Sequence, residues 1–413
     1  MSDTVLDLPP NVTPEMLRPA FWLERAPKPD APLLASAERD AFNARAYTAL
    51  NIPPVLDLPD RLPAREVRQA LDQYQPPAST HYGPTGEPLP PAYFEALRLA
   101  ASPNLPDPVE VQFGLIVRRA AVRSFPTAEI VTSKPFQFAF DRLQETTVDL
   151  GWPVATVATS CDGAWYFCLT PLYWGWIAAD RIAFGTRAQM AAYVNAGPFV
   201  VATASRGRIA LTTGGSAAAQ MGTRLPLVQT TDDAYRVTVP RRLDSGMLEL
   251  VEGVIAREMG EFVPGYLPCT LRTVFTQAFR LLGEPYALGG SRVGQFGRDC
   301  SRFIRDVYAT TGVYLPRNSY QQSDVGRCQA VFKDDMPPEA RKAALVEQVS
   351  PGAILAMPGH VMLYLGHVNG EPYVIHDTSS GPYAHVIVSD LSLRASAPRG
   401  PLLQRLGRAV AVG

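Results

Sequence analysis

Several residue types and patterns are scarce or missing in this chain of 413 residues. Cysteine occurs five times, at irregular spacing: Cys161, Cys168, Cys269, Cys300 and Cys328. An odd number of irregularly spaced cysteines in a long chain argues against a disulfide framework. Without a C-x-x-C pair, a structural zinc site is not predicted. No stretch approaches the roughly 18 to 20 apolar residues of a membrane span, so none is predicted.

An excess of charge of either sign is also missing. The formal net charge is -1, and lysine occurs only at Lys28, Lys134, Lys333 and Lys342. This balance gives no electrostatic signal for binding nucleic acid or an anionic membrane. The start, MSDTVLDLPPNVTP, lacks the charged, apolar and small-residue pattern of an export leader. We therefore expect a cytoplasmic protein, with the periplasm or cell envelope as the alternative if a leader was removed.

The composition, with 46% hydrophobic and 19% charged residues, is typical of a globular protein, and the length predicts several domains. Residues 1–108 are rich in proline, with short helical stretches, and suggest a segment that wraps on other domains. Short β-branched and aromatic runs predict two small β domains, at 109–187 and 188–262. Helical patterns followed by strand-like runs predict an α+β domain at 263–413.

The predicted chemistry lies in this last domain. Four of the five histidines lie there, namely His360, His367, His376 and His385, while His81 lies elsewhere. Cys300 stands at the start of a predicted helix, directly after Asp299, a residue type that caps helix N-termini well. Because free N–H groups and the helix dipole stabilise a thiolate, this position predicts a lowered thiol pKa.

Two of these histidines fall on neighbouring predicted strands. His360 begins the run HVMLYLG, and His376 lies in the next run, YVIHD. Pairing of the strands would bring His376 beside His360, as the group that orients a catalytic base for Cys300. Two alternatives stay open at this point: Cys300 as a small buried residue, or a zinc site of one cysteine and two histidines. His367, in a turn, and His385, after a Gly-Pro turn, are given no role.

Five stretches occur in order in the C-terminal domain: QAFRLLGEPYALGG, RDCSRFIRDVY, LPRNSYQQ, PGAILAMPGHVMLYLG and YVIHD. In this order they resemble the NlpC/p60 family of cysteine peptidases. The stretches GLIVRRAAVRSFPT, FDRLQETTVDLG and DGAWYFCLTPLYWGWI resemble the bacterial SH3 domain that precedes the peptidase in one branch of that family. MGTRLPL looks like part of a second SH3 copy, and the proline-rich start looks like that branch's clip. The resemblance implies a multidomain protein: a clip, two SH3-like barrels and a papain-like α+β peptidase domain.

The resemblance also implies roles for particular residues. It makes Cys300 the nucleophile, His360 the base and His376 the orienting third residue. The branch cleaves between γ-D-glutamate and a diamino acid in murein peptides with a free N-terminal L-alanine. Residues implied to bind such a peptide are Asp299 for its amino group, Tyr286, Ser301 and Ser319 for the glutamate's carboxylate or main chain, and Tyr173 to close the amine pocket. For Tyr173, packing within the barrel is the alternative.

The sequence departs from the family pattern near the predicted site. Leu288 stands where the family usually has tryptophan before two glycines, and the linker 291–298 is slightly long. We expect no cofactor and no metal, murein peptides as the partner, and an oxyanion donor at the Cys300 backbone N–H. The expected SH3 barrel and clip would close one end of the substrate groove, so that only peptides with a free amino terminus fit. This favours released peptides as substrates, and hence peptide recycling. The alternatives are an endopeptidase that cuts intact peptidoglycan, or a wall-binding protein without activity.

Overall fold

The computed structural model describes residues 8–292, 295–379, 382–394 and 400–413. The chain divides into two compact units. The first, called here the cysteine unit, comprises Met1–Asn51, Tyr266–Tyr286 and Gly297–Gly413; the second, called the β unit, comprises Ile52–Gly265 and Ala287–Phe296. The proline-rich start is thus divided between the units at Asn51. The first seven residues, which bear on the expected lack of a leader, lie outside the described part.

Two antiparallel sheets of seven strands each form most of the β unit. In spatial order the first contains Gln144–Val148, Ala120–Arg123, Trp174–Ala178, Trp165–Leu169, Pro153–Thr159, Gln112–Ile116 and Ile182–Gly185. The second contains Ser216–Gln220, Arg206–Leu211, Leu248–Ala256, Ala234–Arg242, Arg224–Thr230, Phe199–Ala202 and Phe262–Pro264. Buried and exposed residues alternate along Arg206–Leu211, as expected for a strand with one face on the core. The β-rich character predicted for this part of the chain is confirmed.

Short elements complete the β unit. Its helices are Ala64–Asp72, Pro91–Ala100 and Arg187–Val194, with 3-10 turns at Val55–Asp57, Ala179–Arg181, Arg257–Met259 and Leu288–Gly290. The strands Arg61–Leu62 and Val109–Glu110 pair with each other, as do Ser291–Arg292 and Gln295–Phe296. The helix Pro91–Ala100 is one of the short helical stretches expected within the proline-rich start.

One antiparallel sheet of six strands organises the cysteine unit. Its spatial order is Arg327–Val331, Arg408–Ala411, Ile354–Met357, His360–Val368, Glu371–Asp377 and Val386–Asp390. The helices are Pro19–Leu23, Ser36–Thr48, Leu271–Phe279, Cys300–Ala309, Ser319–Val325, Pro338–Gln348 and Leu402–Arg405, with a 3-10 turn at Pro14–Leu17. The first two strands and the helix Pro338–Gln348 were not predicted. The mixed α and β content of this part of the chain was predicted.

Helices cover both faces of this sheet where the predicted histidines lie. The helix Cys300–Ala309 packs against His360–Val368 and Glu371–Asp377. Leu345, from the helix Pro338–Gln348, shares a core cluster with Val374. Because each face of these strands is covered, both accept apolar side chains, and the strands are buried almost throughout.

The structure is therefore multidomain, of mixed α and β content with several sheets. Over the described ranges, no helix combines the length and apolar character needed to cross a membrane.

Candidate active site

Cys300 is held at the first position of a rigid, buried helix. Asp299 adopts the extended conformation of a cap residue, and its Oδ1 accepts a hydrogen bond from the Arg302 N–H at 2.9 Å. Phe303 and Ile304 on the same helix are fully buried, which fixes the helix in the core. Cys300 itself is 6% exposed. The helix start and the Asp299 cap predicted from sequence are confirmed.

The environment of the Cys300 sulfur favours the thiol. Burial raises its pKa to about 12, and the negative charge of Asp299 acts in the same direction. A hydrogen bond from the Val361 backbone N–H and the positive charge of Arg317 oppose this shift. The expected lowering of the thiol pKa at the helix start is therefore wrong for the free protein, because loss of solvation outweighs the helix N-terminus.

The two predicted histidines are in direct contact. His360 begins the strand His360–Val368, so it directly precedes Val361, the donor to the sulfur. Its Nε2 lies 2.8 Å from Nδ1 of His376, on the next strand. The adjacency predicted from strand pairing is confirmed. His376 is fully buried, and its Nε2 lies 3.2 Å from the hydroxyl of Ser389 on the strand Val386–Asp390.

Both imidazoles are uncharged near neutral pH. Burial lowers the pKa of His360 to about 4, assisted by the positive charge of Arg405 and opposed by Asp299. Burial, followed by the neighbouring His360, places the pKa of His376 well below its ordinary value. At rest the site thus holds a thiol and a neutral imidazole. In this state His360 is able to accept a proton.

Arg317 pairs with the carboxylate expected to hold the substrate's amino group. Its Nη2 donates to Asp299 Oδ2 at 2.6 Å, and its Nη1 donates to Asp299 Oδ1 at 3.1 Å. The same Nη1 donates to Ser301 Oγ at 2.8 Å, and Ser301 Oγ donates to Asp299 Oδ1 at 3.1 Å. All three side chains are buried. Sequence reasoning assigned no role to Arg317, although it lies in the stretch LPRNSYQQ.

Two other predicted substrate-binding residues lie in the cysteine unit. Tyr286 is nearly buried, and burial raises its pKa well above the ordinary value, with the charges of Cys300 and Asp299 acting in the same direction. Ser319 begins the helix Ser319–Val325 and is half-buried. Their predicted roles in binding stay predictions.

The helix that starts at Ser319 is tied to the helix of Cys300. Gln322 is fully buried, and its Nε2 donates to the carbonyl oxygens of Ser301 and Pro316, each at 2.9 Å. One amide thereby holds the loop before its own helix and the first turn of the cysteine helix. This residue was also not singled out from sequence.

A buried cluster of charges surrounds the start of the cysteine helix. Arg298 Nε donates to Asp306 Oδ2 at 2.9 Å, Arg302 Nε donates to Asp306 Oδ1 at 2.6 Å, and Arg298 also pairs with Glu284. Asp377, directly after His376, differs from these pairs. It is fully buried, and neither carboxyl oxygen has a hydrogen-bond partner within the described residues. Burial, with the charge of Asp299, raises its pKa well above the ordinary value.

The histidines that were given no role do not join the pair. His367 is exposed near the other end of its strand, about 23 Å along the chain from His360. His385 is half-buried and forms an isolated bridge with Pro285. Among the described residues, no group of three or more histidine, cysteine, aspartate or glutamate side chains has the arrangement of a metal site. The zinc alternative therefore has no support.

Tyr173 belongs to the β unit. It is partly buried against the core cluster of the first sheet, and its carbonyl oxygen accepts a hydrogen bond from the Thr170 hydroxyl at 2.7 Å. This packing fits the structural alternative, and the expected role in an amine pocket stays a prediction.

The glycine pair after Leu288 also lies in the β unit. Gly289 has a φ of 67°, and a Cβ there would lie 2.5 Å from Gln144 Cγ and 2.9 Å from the Gln144 carbonyl oxygen. Both the backbone conformation and the close approach therefore require glycine. Of the linker 291–298, Val293 and Gly294 lie outside the described residues.

Comparison with known protein families bears on this geometry. Residues 283–397 match the model of the NlpC/P60 family. The chain contains an NlpC/P60 domain. Such a domain implies a cysteine peptidase activity related to peptidoglycan, and Cys300, His360 and His376 all lie within the matched range. Residues 133–178 match the model of an SH3 domain of the SH3b1 type. The second SH3 copy and the branch of the family stay predictions.

Two solved structures are similar in fold. One is an NlpC/P60 endopeptidase from Photobacterium damselae subsp. piscicida, with a TM-score of 0.72 and 16% identity over 93% of this chain and 94% of that one. The other is an NlpC/P60 family protein from Bacillus cereus, with a TM-score of 0.53 and 18% identity over 72% of this chain and 98% of that one. No curated protein matches the sequence.

Proposed function

We propose that this protein is a cysteine endopeptidase that hydrolyses the γ-D-glutamyl–diamino acid bond of murein peptides carrying a free N-terminal L-alanine. Released peptides, as in peptide recycling, are the proposed substrates. The NlpC/P60 domain supports the reaction class. The choice of bond rests on the resemblance of the residues around Cys300 to one branch of that family.

The observation that carries the proposal is the hydrogen bond of 2.8 Å between His360 Nε2 and His376 Nδ1. Because this contact engages Nε2, His360 has Nδ1 left to exchange a proton with the substrate and the thiol. The adjacent residue, Val361, donates its N–H to the Cys300 sulfur. These contacts, from one helix and two strands, support the proposed roles of Cys300 as nucleophile, His360 as base and His376 as the group that orients the base.

The chemistry follows from these positions. As the sulfur attacks the γ-carbonyl carbon, the thiol proton passes to His360, and the carbonyl oxygen becomes negatively charged. The Cys300 backbone N–H at the helix start is our proposed donor to that oxygen. Collapse breaks the C–N bond, His360 gives the proton to the departing amine, and a thioester remains. Water, deprotonated by His360, then hydrolyses the thioester and restores the thiol.

The direct test is an assay with L-Ala-γ-D-Glu-diaminopimelate, followed by mass spectrometry. We expect release of free diaminopimelate and the dipeptide L-Ala-D-Glu. Intact sacculi, assayed in parallel, separate peptide recycling from cutting of the wall. Release of fragments from sacculi with no turnover of the tripeptide would contradict the proposed substrate.

The proposed need for a free amine has its own test. Asp299 is the candidate partner for the substrate's ammonium group, alongside its bond to Arg317. Acetylation of the L-alanine nitrogen removes the positive charge and adds bulk. We expect kcat/KM to fall by about tenfold to a hundredfold, since Asp299 keeps Arg317 as a partner and a hydrogen bond to a charged group contributes roughly 1.5 to 3 kcal/mol. Comparable kcat/KM values for the free and acetylated peptides would contradict this specificity.

A further inference from the structure

Ser389 lies at the far end of the hydrogen-bonded series that starts at His360. It is fully buried, on the strand Val386–Asp390, where it pairs with Val374. Val374 is two residues before His376, so Ser389 and His376 face the same side of the sheet in diagonal positions. The Ser389 hydroxyl lies 3.2 Å from His376 Nε2. Neither the family match nor the sequence patterns assign this residue a role.

The series of contacts allows two arrangements of protons. In the first, His360 donates its Nε2–H to His376 Nδ1, and His376 donates its Nε2–H to Ser389. In the second, every bond is reversed: Ser389 donates to His376 Nε2, His376 donates from Nδ1, and His360 carries its own proton on Nδ1. The distances between the ring nitrogens and the hydroxyl oxygen fit both arrangements.

The two arrangements differ in what His360 is able to do. In the first, its Nδ1 is unprotonated and accepts the proton of the thiol. After that transfer the bonds to His376 and Ser389 keep their direction, so nothing behind the base reorganises. In the second, Nδ1 already carries a proton, and His360 acts as a base only after both hydrogen bonds of the series reverse. The first arrangement is the one that supports catalysis.

We propose that Ser389 is a positioning residue that accepts the Nε2–H of His376 and so holds His360 in the tautomer that acts as a base. The proposal rests on the proposed function for the roles of Cys300 and His360. A polar acceptor is needed because His376 is fully buried, and an N–H without a partner is disfavoured there. Without the hydroxyl, the population of the second arrangement increases. The reason is that a buried ring nitrogen without a hydrogen-bond donor costs less free energy than a buried N–H without an acceptor.

The first measurement is on the wild-type full chain labelled with ¹⁵N in its histidines. Two-bond ¹H–¹⁵N correlation spectra distinguish a protonated from an unprotonated ring nitrogen, and the spectrum of a His376→Gln variant assigns the His376 signals. We expect both His360 and His376 to carry their proton on Nε2. A proton on Nδ1 of His376 in the wild type would overturn the proposal.

The second measurement compares variants on the tripeptide. In Ser389→Ala we expect kcat to fall about tenfold, with KM changed less than about twofold, and the His376 proton to move towards Nδ1. Ser389→Thr keeps the hydroxyl and is expected to restore both kcat and the Nε2–H pattern. Thr310→Val is the matched control: it removes another buried hydroxyl of the cysteine unit, which donates to the Val307 carbonyl at 2.7 Å, and should leave kcat unchanged.

The outcomes separate this proposal from the proposed function. Wild-type kcat and an unchanged tautomer pattern in Ser389→Ala would overturn the role of Ser389. The expected pattern in a wild-type protein that turns over no murein peptide would support the hydrogen-bond assignment and contradict the proposed function. If Ser389→Ala does not fold, Ser389→Thr and the wild-type spectrum still decide the matter. A threonine variant that keeps kcat and the Nε2–H pattern supports the role, and one that keeps kcat while the His376 proton moves to Nδ1 would overturn it.

Discussion

Cys168 in the first sheet of the β unit and Cys300 in the cysteine unit are both buried thiols. Burial raises the pKa of each to about 12. Cys168 lies in an apolar cluster, and its sulfur hydrogen-bonds with Thr156 Oγ1 at 3.2 Å. Cys300 receives the Val361 N–H, next to His360, and is within reach of the charges of Asp299 and Arg317.

The difference between the two cysteines shows what distinguishes the proposed nucleophile, Cys300, from a buried cysteine without a proposed role. Neither burial nor the direction of the thiol pKa separates them. The neighbours do, because only a nearby group that accepts a proton allows a buried thiol to attack without first standing as a thiolate. Apart from the adjacent Asp299, these neighbours reach Cys300 from distant parts of the chain.

The largest effect is expected from replacing the sulfur itself. Cys300→Ser should reduce turnover of the tripeptide below detection while the fold is retained, because a serine hydroxyl is far less acidic and less nucleophilic than a thiol. Cys168→Ala is the matched control in the β unit and should keep the wild-type kcat. Turnover is measured by mass spectrometry and folding by circular dichroism. A wild-type rate in Cys300→Ser would end the cysteine-peptidase proposal.

The next largest effect concerns the base and its partner. His360→Ala should lower kcat by about 10² to 10⁴, because no other group then accepts the thiol proton. His376→Ala should lower kcat by less, since it orients the base and does not replace it. His367→Ala, on the exposed end of the same strand, is the control and should be silent. A loss at His367 as large as at His360 would show that the wrong histidines were chosen.

A smaller effect, on stability, is expected from the ion pair beside Cys300. Asparagine caps a helix about as well as aspartate, so Asp299→Asn preserves the cap and removes the charge that faces Arg317. With the guanidinium buried and uncompensated, we expect a loss of about 3 to 5 kcal/mol in the free energy of unfolding. Urea denaturation measures this loss.

The control for that variant is an Arg–Asp pair on the surface that also has two hydrogen bonds. Asp30 accepts two hydrogen bonds from Arg272, at 2.5 and 2.8 Å, with both side chains more than half exposed. Asp30→Asn should change stability far less, because solvent screens an exposed pair. Equal effects at Asp299 and Asp30 would mean that burial does not set the strength of the inner pair.

The smallest effect is expected at Asp377, and its sign depends on pH. In the folded protein burial raises the pKa of this carboxyl and so favours its protonated form, whereas the unfolded chain releases the proton above its ordinary pKa of 3.8. Wild-type stability is therefore lost as pH rises from that value towards the raised pKa of the folded state. Asp377→Asn removes this loss, so we expect a melting temperature about 2 °C or more above wild type at pH 8, and a smaller difference at pH 5.

Asp306→Asn is the control for Asp377→Asn, and its expected effect on stability has the opposite sign. Asp306 is equally buried but pairs with Arg298 and Arg302, so its replacement should destabilise the protein at both pH values. Thermal unfolding of both variants at pH 5 and pH 8 checks the pair of predictions. A destabilised Asp377→Asn protein at pH 8 would show that this carboxylate is charged and compensated in the folded state.

Much of the local structure around the site was predictable from sequence because it depends on residues close together in the chain. Asp299 before the apolar spacing of Phe303, Ile304 and Val307 predicted a capped helix that begins at Cys300, and the structure has it. The short turn between two apolar runs predicted antiparallel pairing that brings His376 beside His360. Both predictions use the geometry of single elements and hairpins.

The charges and the last hydrogen bond of the site were decided only by the tertiary structure. Arg317 reaches Asp299 across eighteen positions, and Ser389 reaches His376 from a third strand. The thiol pKa rises, although a helix start alone predicts a fall, because the sheet and its covering helices remove solvent from the sulfur. Helix caps and strand alternation are local properties that a sequence displays directly. Desolvation and long-range charge pairing depend on which surfaces the folded chain buries against each other, and a single sequence does not display that.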